Sequence, residues 1–301
     1  MLPDVKRTFP PGGPNPVSPK NHPTIPNLPM YTFPRRLPPP ALARAAFSLV
    51  LFAGTTAAGL AQAPQPAPAT RLTPDGKWPV HSMERPRPEV VAPLYDGQPV
   101  KRPAGALAIF EGKGLAAWKQ DKPDPVTNSD EARWKTENDY FEVVAKTGYL
   151  QTRDTLKGDG HLHIEWATPA EVVGKGQGRG NSGVFVGGYP EVQVLDSYEN
   201  DTYPDGQAAA FYGQHPPLVN ASRKPGEWQA YDIVIERAVL EKDKVVRKQR
   251  MSVWHNGVLV QDNVEFSGQS QDGVLRLQDH GNPMRFRNIW FNPYPGAGAA
   301  K

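Results

Sequence analysis

The sequence of 301 residues contains no cysteine. Disulfide bonds, thiolate metal ligands and a cysteine nucleophile are therefore excluded. The sequence also lacks a Gly-x-Ser-x-Gly motif, the turn that presents the nucleophilic serine in one large class of hydrolases. No stretch of a dozen residues repeats its apolar positions with the helical period of 3.6. The chain must therefore be held together by a core built without long helices, and about 200 residues are enough to bury one.

Positive charge is concentrated at the N-terminus. The charged residues of segment 1–61 are Lys6, Arg7, Lys20, Arg35, Arg36 and Arg44 against Asp4. This segment carries a net charge of +5, and since the whole chain carries +3, the remainder carries −2. The part of the chain that can fold is thus slightly acidic, which gives no electrostatic reason for binding nucleic acid.

Residues 30–61 have the organisation of a secretory signal peptide. A basic cluster precedes the short apolar run Ala45–Ala61, which ends in small residues. The run is shorter than a typical membrane-spanning helix, although an uncleaved anchor is the alternative. We expect cleavage after Ala61, a periplasmic or extracellular protein and no stable membrane span after cleavage. Residues 1–29 are then an upstream extension.

The remaining chain divides into an irregular part and a domain. Residues 62–104 are rich in proline, which predicts a linker and then an irregular arm on the domain surface. Residues 105–296 contain many short alternating segments separated by turn signals, such as His255-Asn256-Gly257 between two strands. This pattern predicts an all-β domain, an antiparallel β-sandwich or jelly roll.

The segment Gly180–Ser197 predicts two strands joined by a tight turn. Glu191 and Gln193, two residues apart, point to the same face of a strand. Asp196 lies at an odd offset, so only a β-bulge would bring its carboxylate to that face. Two carboxylates on one face could serve as acid and base in glycoside chemistry. The alternative is a solvated outer face, with Asp196 capping the following turn.

A second polar segment, Gln278 to Asn282, contains a candidate for proton transfer. His280 can exchange a proton near neutral pH, and Asp279 could orient it if the turn brings the two together. Arg285 and Arg287 share a strand face nearby and could bind hydroxyl or carboxylate groups. An ordinary polar turn next to a solvated strand is the alternative.

Three further patterns predict ligand sites only weakly. His161, His163 and Glu165 alternate on one strand face like metal ligands, but such a pattern is more often surface. The acidic residues Glu199, Asp201 and Asp205 lack the spacing of a calcium loop. No helix follows the loop Gly174–Gly180, which argues against phosphate binding there.

Several long segments together resemble the 3-keto-disaccharide hydrolase domain family, a concanavalin A-like jelly-roll group of secreted and periplasmic bacterial proteins. The similarity extends over about residues 105–294. It begins with AIFEGKGLAAW and continues through GNSGVFV, EVQVLDSYEN, TYPDGQ, FYGQHPPLVNASRKPGEWQAYDI, HNGVLVQDN and LQDHGNPMRFRNIWF. These motifs occur in the family's order.

The resemblance implies cleavage of glycosides whose C3 is already oxidised to a ketone. The ketone acidifies the C2 proton, a base removes it, the C1 substituent leaves and water adds. The catalytic candidates are Glu191, His280, Asp279 and Asp196. The substrate-binding candidates are Gln193, Asn181, Tyr212, Arg287, Gln278 and Glu165. No cofactor is certain, but a divalent metal such as calcium could act as a Lewis acid.

Two other functions fit the same sequence. The pattern Glu191-x-Gln193-x-x-Asp196 is similar to the Glu-x-Asp-x-x-Glu motif of β-glucanases, but an amide replaces the central charge. A non-catalytic carbohydrate-binding module is the third alternative, since loop aromatic residues stack on sugars. These aromatic residues are Tyr198, Tyr203, Phe211, Tyr212 and Trp228. All three alternatives have a carbohydrate as partner.

Export should remove the leader at one bond. We expect the protein recovered from the periplasm or medium to begin at Gln62, because Ala61 ends the small-residue region of the signal peptide. N-terminal sequencing or intact-mass measurement checks this. A membrane-bound product that retains Ala45–Ala61 would establish the anchor instead.

Overall fold

The computed structural model of the chain describes residues 70–187, 190–242, 244–266 and 272–294. The predicted extension and signal peptide lie outside these residues. Within the described residues, no helix has the length and apolar character needed to cross a membrane.

Short strands make up most of the described chain. In chain order they are β1 (Glu89–Val90), β2 (Leu107–Phe110), β3 (Trp118–Gln120), β4 (Lys135–Glu137), β5 (Tyr140–Glu142), β6 (Leu150–Thr152), β7 (Gly160–Ala167), β8 (Asn181–Val186), β9 (Glu191–Leu195), β10 (Val219–Asn220), β11 (Gln229–Glu236), β12 (Val239–Glu241), β13 (Lys244–Arg247), β14 (Gln249–His255), β15 (Val258–Phe266), β16 (Leu275–Leu277) and β17 (Arg285–Pro293). Single-turn 3₁₀ helices lie at Gly176–Gly178 and Pro204–Gly206.

Two antiparallel sheets form the sandwich. The larger sheet has the order β15-β14-β11-β7-β17-β5-β4, with β2 also paired to β17. The smaller sheet has the order β3-β6-β16-β8-β9. The predicted hairpin is present, because β14 and β15 pair around Asn256-Gly257 with Asn256 at a φ of 52°. The prediction of an all-β, concanavalin A-like jelly roll is confirmed.

Large apolar side chains from both sheets fill the space between them. β7 directs Leu162, Ile164 and Trp166 into this core, while Val184 and Val192 enter from the smaller sheet. Because side chains alternate along a strand, each sheet is left with a second face that points away from the core. What covers that second face differs between the two sheets.

The second face of the larger sheet is covered by the chain that precedes β2. There β7 presents His161, His163 and Glu165, all buried. The backbone N–H of Val100 donates to Glu165 Oε1 at 2.8 Å, and Arg287 Nη2 donates to the carbonyl of Gly97 at 2.8 Å. Residues 93–103 thus bind to a buried polar layer on this sheet.

Opposite charges alternate within that layer. Asp232 Oδ1 contacts His161 Nε2 at 2.7 Å and His163 Nδ1 at 2.8 Å, and Glu165 Oε2 accepts from Arg287 Nε at 2.7 Å. Burial disfavours charge on His163, but Asp232 and Glu165 raise its pKa to about 9. Burial also opposes charge on Glu165, yet its hydrogen bonds, from His163 first, hold its pKa below the usual value. Each buried charge is therefore paired, as burial requires.

This layer corrects two predicted assignments. Glu165 and Arg287 were expected to bind substrate, but they bind each other and the covering segment on the sheet opposite Glu191. The imidazoles of His161 and His163 hydrogen-bond directly to Asp232, so these two side chains serve the same structural layer. Among the described residues, no group of three or more His, Asp and Glu side chains could hold a metal ion.

Breaking the buried Arg287–Glu165 pair should destabilise the domain. We expect Arg287→Leu to lower the free energy of unfolding by about 3–5 kcal/mol, because Glu165 would remain buried and lose the guanidinium that lies 2.7 Å from its Oε2. Urea titration of the mature protein measures this. Arg285→Leu is the matched control, since Arg285 lies two residues earlier and forms a more exposed pair with Glu142. Equal losses in both variants would contradict the assignment.

Candidate active site

The second face of the smaller sheet carries a row of polar side chains, which we call the polar face. Its members are Asn181, Gly183 and Phe185 from β8, Glu191 and Gln193 from β9, Arg276 from β16, and Gln278 just after it. Their shared face follows from the register, since Phe185 pairs with both Glu191 and Arg276, and Gly183 pairs with Gln193. The expectation that Glu191 and Gln193 lie on one face is therefore met.

Glu191 lies in the middle of this face, above a glycine. A Cβ placed on Gly183 would lie 2.3 Å from Glu191 Oε1, so the absent side chain makes room for the carboxyl group. Burial raises the pKa of Glu191 to about 7. In the part of the chain that the structure describes, no hydrogen bond or cation compensates this burial. A desolvated carboxyl that titrates near neutral pH is suited to accept a proton.

A chain of amide groups orients two acceptors on this face. Gln177 Nε2 donates to the carbonyl of Gly206 at 2.8 Å, so Gln177 Oε1 must accept, and Gln193 Nε2 donates to it at 2.8 Å. Asn181 Nδ2 donates to the backbone carbonyl of Gln177 at 2.7 Å. Backbone carbonyls only accept, which determines both amide orientations. Asn181 Oδ1 and Gln193 Oε1 are buried and have no partner among the described residues.

On the same polar face, across β8 from Glu191, β16 carries a stacked cation. The guanidinium of Arg276 lies over the rings of Tyr149 and Phe185, with centroid distances of 5.3 Å and 5.1 Å. Gln278 Nε2 donates to Tyr149 Oη at 2.9 Å. Arg276 thus brings positive charge to the face that contains Glu191, without pairing to it. Neither Arg276 nor Gln177 was predicted, although the alternation Leu275-Arg276-Leu277 could have indicated the former.

Two tyrosines, the tyrosine pair, border Glu191 along the edge of β9. Phe211 bridges Val192, and the N–H of Tyr212 donates to the carbonyl of Glu191 at 3.1 Å, so the loop runs beside β9 like a further strand. Phe211 points into the core, and alternation turns Tyr212 to the polar face. Tyr203 Oη lies 2.6 Å from Tyr212 Oη. Burial raises the pKa of Tyr203, and the charge of Glu191 adds to this.

Asp196 does not join Glu191. Pairing between β8 and β9 is regular from Glu191 to Leu195, so there is no bulge to return Asp196 to the polar face. Asp196 Oδ2 instead accepts from Arg179 Nε at 2.6 Å, and Oδ1 accepts from the N–H of Tyr198 at 3.2 Å. The alternative of a turn-capping residue describes Asp196 correctly.

The turn after Gln278 also differs from expectation. Asp279 accepts the backbone N–H groups of Gly148 at 3.1 Å and Gly281 at 2.9 Å, so its carboxylate supports the turn and does not orient His280. His280 is exposed. Asn282 Oδ1 accepts the N–H of Asn181 at 2.9 Å, which connects this turn to the polar face.

Among the loop residues predicted for sugar stacking or calcium binding, several lie away from the polar face. Trp228 stacks on Arg287 at 4.1 Å, on the larger sheet. Asp201 pairs with Arg87, whereas Asp205 is buried and accepts the N–H of His81 at 2.9 Å. Of the predicted residues, the polar face thus contains Asn181, Gln193, Gln278 and Glu191, and Tyr212 borders it. It does not contain Asp196, Glu165 or Arg287.

Comparison with known proteins agrees with this architecture. Residues 105–292 match the model of the 3-keto-alpha-glucoside-1,2-lyase-like domain. A 3-keto-disaccharide hydrolase of Bacteroides thetaiotaomicron is 24% identical over 242 residues, which cover 62% of this chain and 77% of that protein. A solved structure from Parabacteroides distasonis, named a "putative glycosyl hydrolase", is 34% identical with a TM-score of 0.58. The match covers 76% of this chain and 100% of that one.

The unpaired burial of Glu191 should appear in the pH dependence of stability. Its pKa rises from 4.5 to about 7 on folding, because burial favours the protonated form. The stability that protonated Glu191 gives the folded state is therefore fully present below pH 4.5 and is lost as the pH rises through 7. We expect wild type to lose on the order of 2–3 kcal/mol of unfolding free energy between pH 5 and pH 8, relative to Glu191→Gln. Urea titrations at both pH values measure this. Parallel curves for the two proteins would contradict the shift.

Proposed function

Because the chain belongs to the 3-keto-alpha-glucoside-1,2-lyase-like family, we propose that it cleaves 3-keto-glycosides at the bond between C1 and the glycosidic oxygen. The reaction is elimination, followed by addition of water where hydrolysis is the outcome. The relative from Bacteroides thetaiotaomicron, named a 3-keto-disaccharide hydrolase, supports this substrate class. We further propose that the protein acts after export, in the periplasm or medium.

The observation that carries this proposal is the partly buried, unpaired carboxyl of Glu191. Glu191 removes the proton from C2, and the electrons of that C–H bond pass into the ketone as an enolate, C2=C3–O⁻. When the C3=O bond re-forms, the enolate electrons make the C1=C2 double bond and the bond from C1 to the leaving oxygen breaks. The leaving group takes up a proton. A carboxylate that is poorly solvated is a stronger base than one in water, and a pKa of about 7 suits transfer near neutral pH.

The orientation of the amide groups supports a particular set of contacts with the sugar. Asn181 Oδ1 and Gln193 Oε1 can only accept hydrogen bonds, so they complement hydroxyl groups. The C3 ketone cannot donate and must face a donor or a cation instead. Arg276 on the same polar face is the group proposed to stabilise the negative charge that develops on that oxygen.

The acid that protonates the leaving group is proposed from the position of one turn. His280 is exposed at the turn that follows Gln278, and that turn is connected to the polar face through Asn282 and Asn181. We retain His280 as the proposed acid, without the participation of Asp279. A divalent metal remains a proposal that a chelator can test.

One assay tests the reaction class. We expect the mature protein to cleave a 3-keto-glucoside and to leave the parent glucoside intact, because only the ketone makes the C2 proton acidic. Glu191→Gln should lower kcat by at least a hundredfold, as expected for loss of a general base. Chromatography of the products, with and without EDTA, measures both cleavage and metal dependence.

Two variants sharpen this assay. Gly183→Ala should also lower kcat, because its methyl group would displace the carboxyl of Glu191. Glu265→Gln is the control, since Glu265 is exposed and lies on the larger sheet, and it should match wild type. Cleavage of the unoxidised glucoside would favour a β-glucanase. Binding of either sugar without cleavage would favour a carbohydrate-binding module.

A further inference from the structure

An imidazole from outside the family domain lies next to the tyrosine pair. His81 precedes the matched segment 105–292 by more than twenty residues. Its ring stacks on Tyr203 with centroids 4.2 Å apart and planes inclined by 26°, and it lies 5.0 Å from the ring of Tyr212. Since Tyr212 borders Glu191, the segment that precedes the domain reaches the edge of the polar face.

Hydrogen bonds to Asp205 hold the backbone at His81 in place. Its N–H donates to the buried carboxylate of Asp205 at 2.9 Å, and the carbonyl of Asp205 accepts the N–H of Gly213 at 2.8 Å. The φ of His81 is 64°, in the left-handed region where glycine would be less strained. Strained residues of this kind concentrate at functional sites, because the surrounding structure must compensate for their cost.

The imidazole is also free to bind a ligand. His81 is exposed, and within the described part of the chain no hydrogen bond occupies either ring nitrogen. Burial against its neighbours lowers the pKa of His81, with Asp205 opposing the shift, so the ring is neutral near pH 7. A neutral imidazole has one donor and one acceptor, and can therefore pair with a hydroxyl or a carbonyl oxygen.

We propose that His81 is a substrate-binding residue that hydrogen-bonds the sugar bound beside Glu191. The site is then built from two parts of the chain: the sheet supplies the base and the acceptors, and the segment before the domain supplies an imidazole on the tyrosine pair. This inference rests on the proposed function for the identity of the sugar, although it requires only that a sugar binds on the polar face.

The test compares three variants of the full mature protein. His81→Gly removes the ring and relieves the backbone, so it should fold as stably as wild type. His81→Phe keeps an aromatic ring on Tyr203 without the nitrogen atoms. Met83→Ala, an exposed position on the same segment, is the matched control. With a methyl 3-keto-α-glucoside, both His81 variants should lose at least tenfold in kcat/KM, mainly through KM, while Met83→Ala matches wild type.

A second measurement does not require turnover. The imidazole NMR signal that His81→Gly abolishes should shift when the keto sugar or methyl α-glucoside is added to wild type. If wild type cleaves nothing but this signal shifts, the proposed reaction fails and the role of His81 stands. Wild-type kcat/KM in His81→Gly would overturn the inference. So would a signal that stays unmoved by both sugars at tens of millimolar.

Discussion

This structure depends on one constraint: side chains alternate along each strand, and one face of each sheet packs into a shared core. Once Trp166 and Val192 pack between the sheets, the intervening residues must point the other way. His163 and Glu165 are thereby sent to one exterior of the sandwich, and Glu191 to the other. The two exteriors differ in the segments of the chain that cover them.

Buried charges are paired on the outer face of the larger sheet and unpaired on that of the smaller sheet. Above the larger sheet, Asp232, His163, Glu165 and Arg287 alternate in sign, and each charge has a partner. Above the smaller sheet, Glu191 is partly buried and no such partner lies among the described residues. Pairing lowers the energy of charges that have only a structural role. Leaving a carboxyl unpaired costs stability but keeps its proton affinity available for chemistry.

Prediction of which side chains share a face succeeded where strand alternation was sufficient and failed where loops intervened. Glu191 and Gln193 share a face because they are two residues apart on a regular strand. Asp196 required a bulge, and nothing in its local sequence could establish one. Arg287 has the same residue type and spacing as a sugar-binding residue would have, but its sheet is the one that residues 93–103 cover. The role of Gln177 depends on a 3₁₀ turn and on Gly206, a loop contact that spacing does not reveal.

The sequence by itself determined the class of fold, the family and the strand face that Glu191 and Gln193 share. These depend on local periodicity and on motifs whose order is preserved along the chain. Only the tertiary structure decided which polar strand face is covered by the chain itself. It also brought His81 beside Tyr203, 122 positions away in the sequence. Contacts of this kind depend on how the chain crosses its own surface, and side-chain periodicity contains no information about that path.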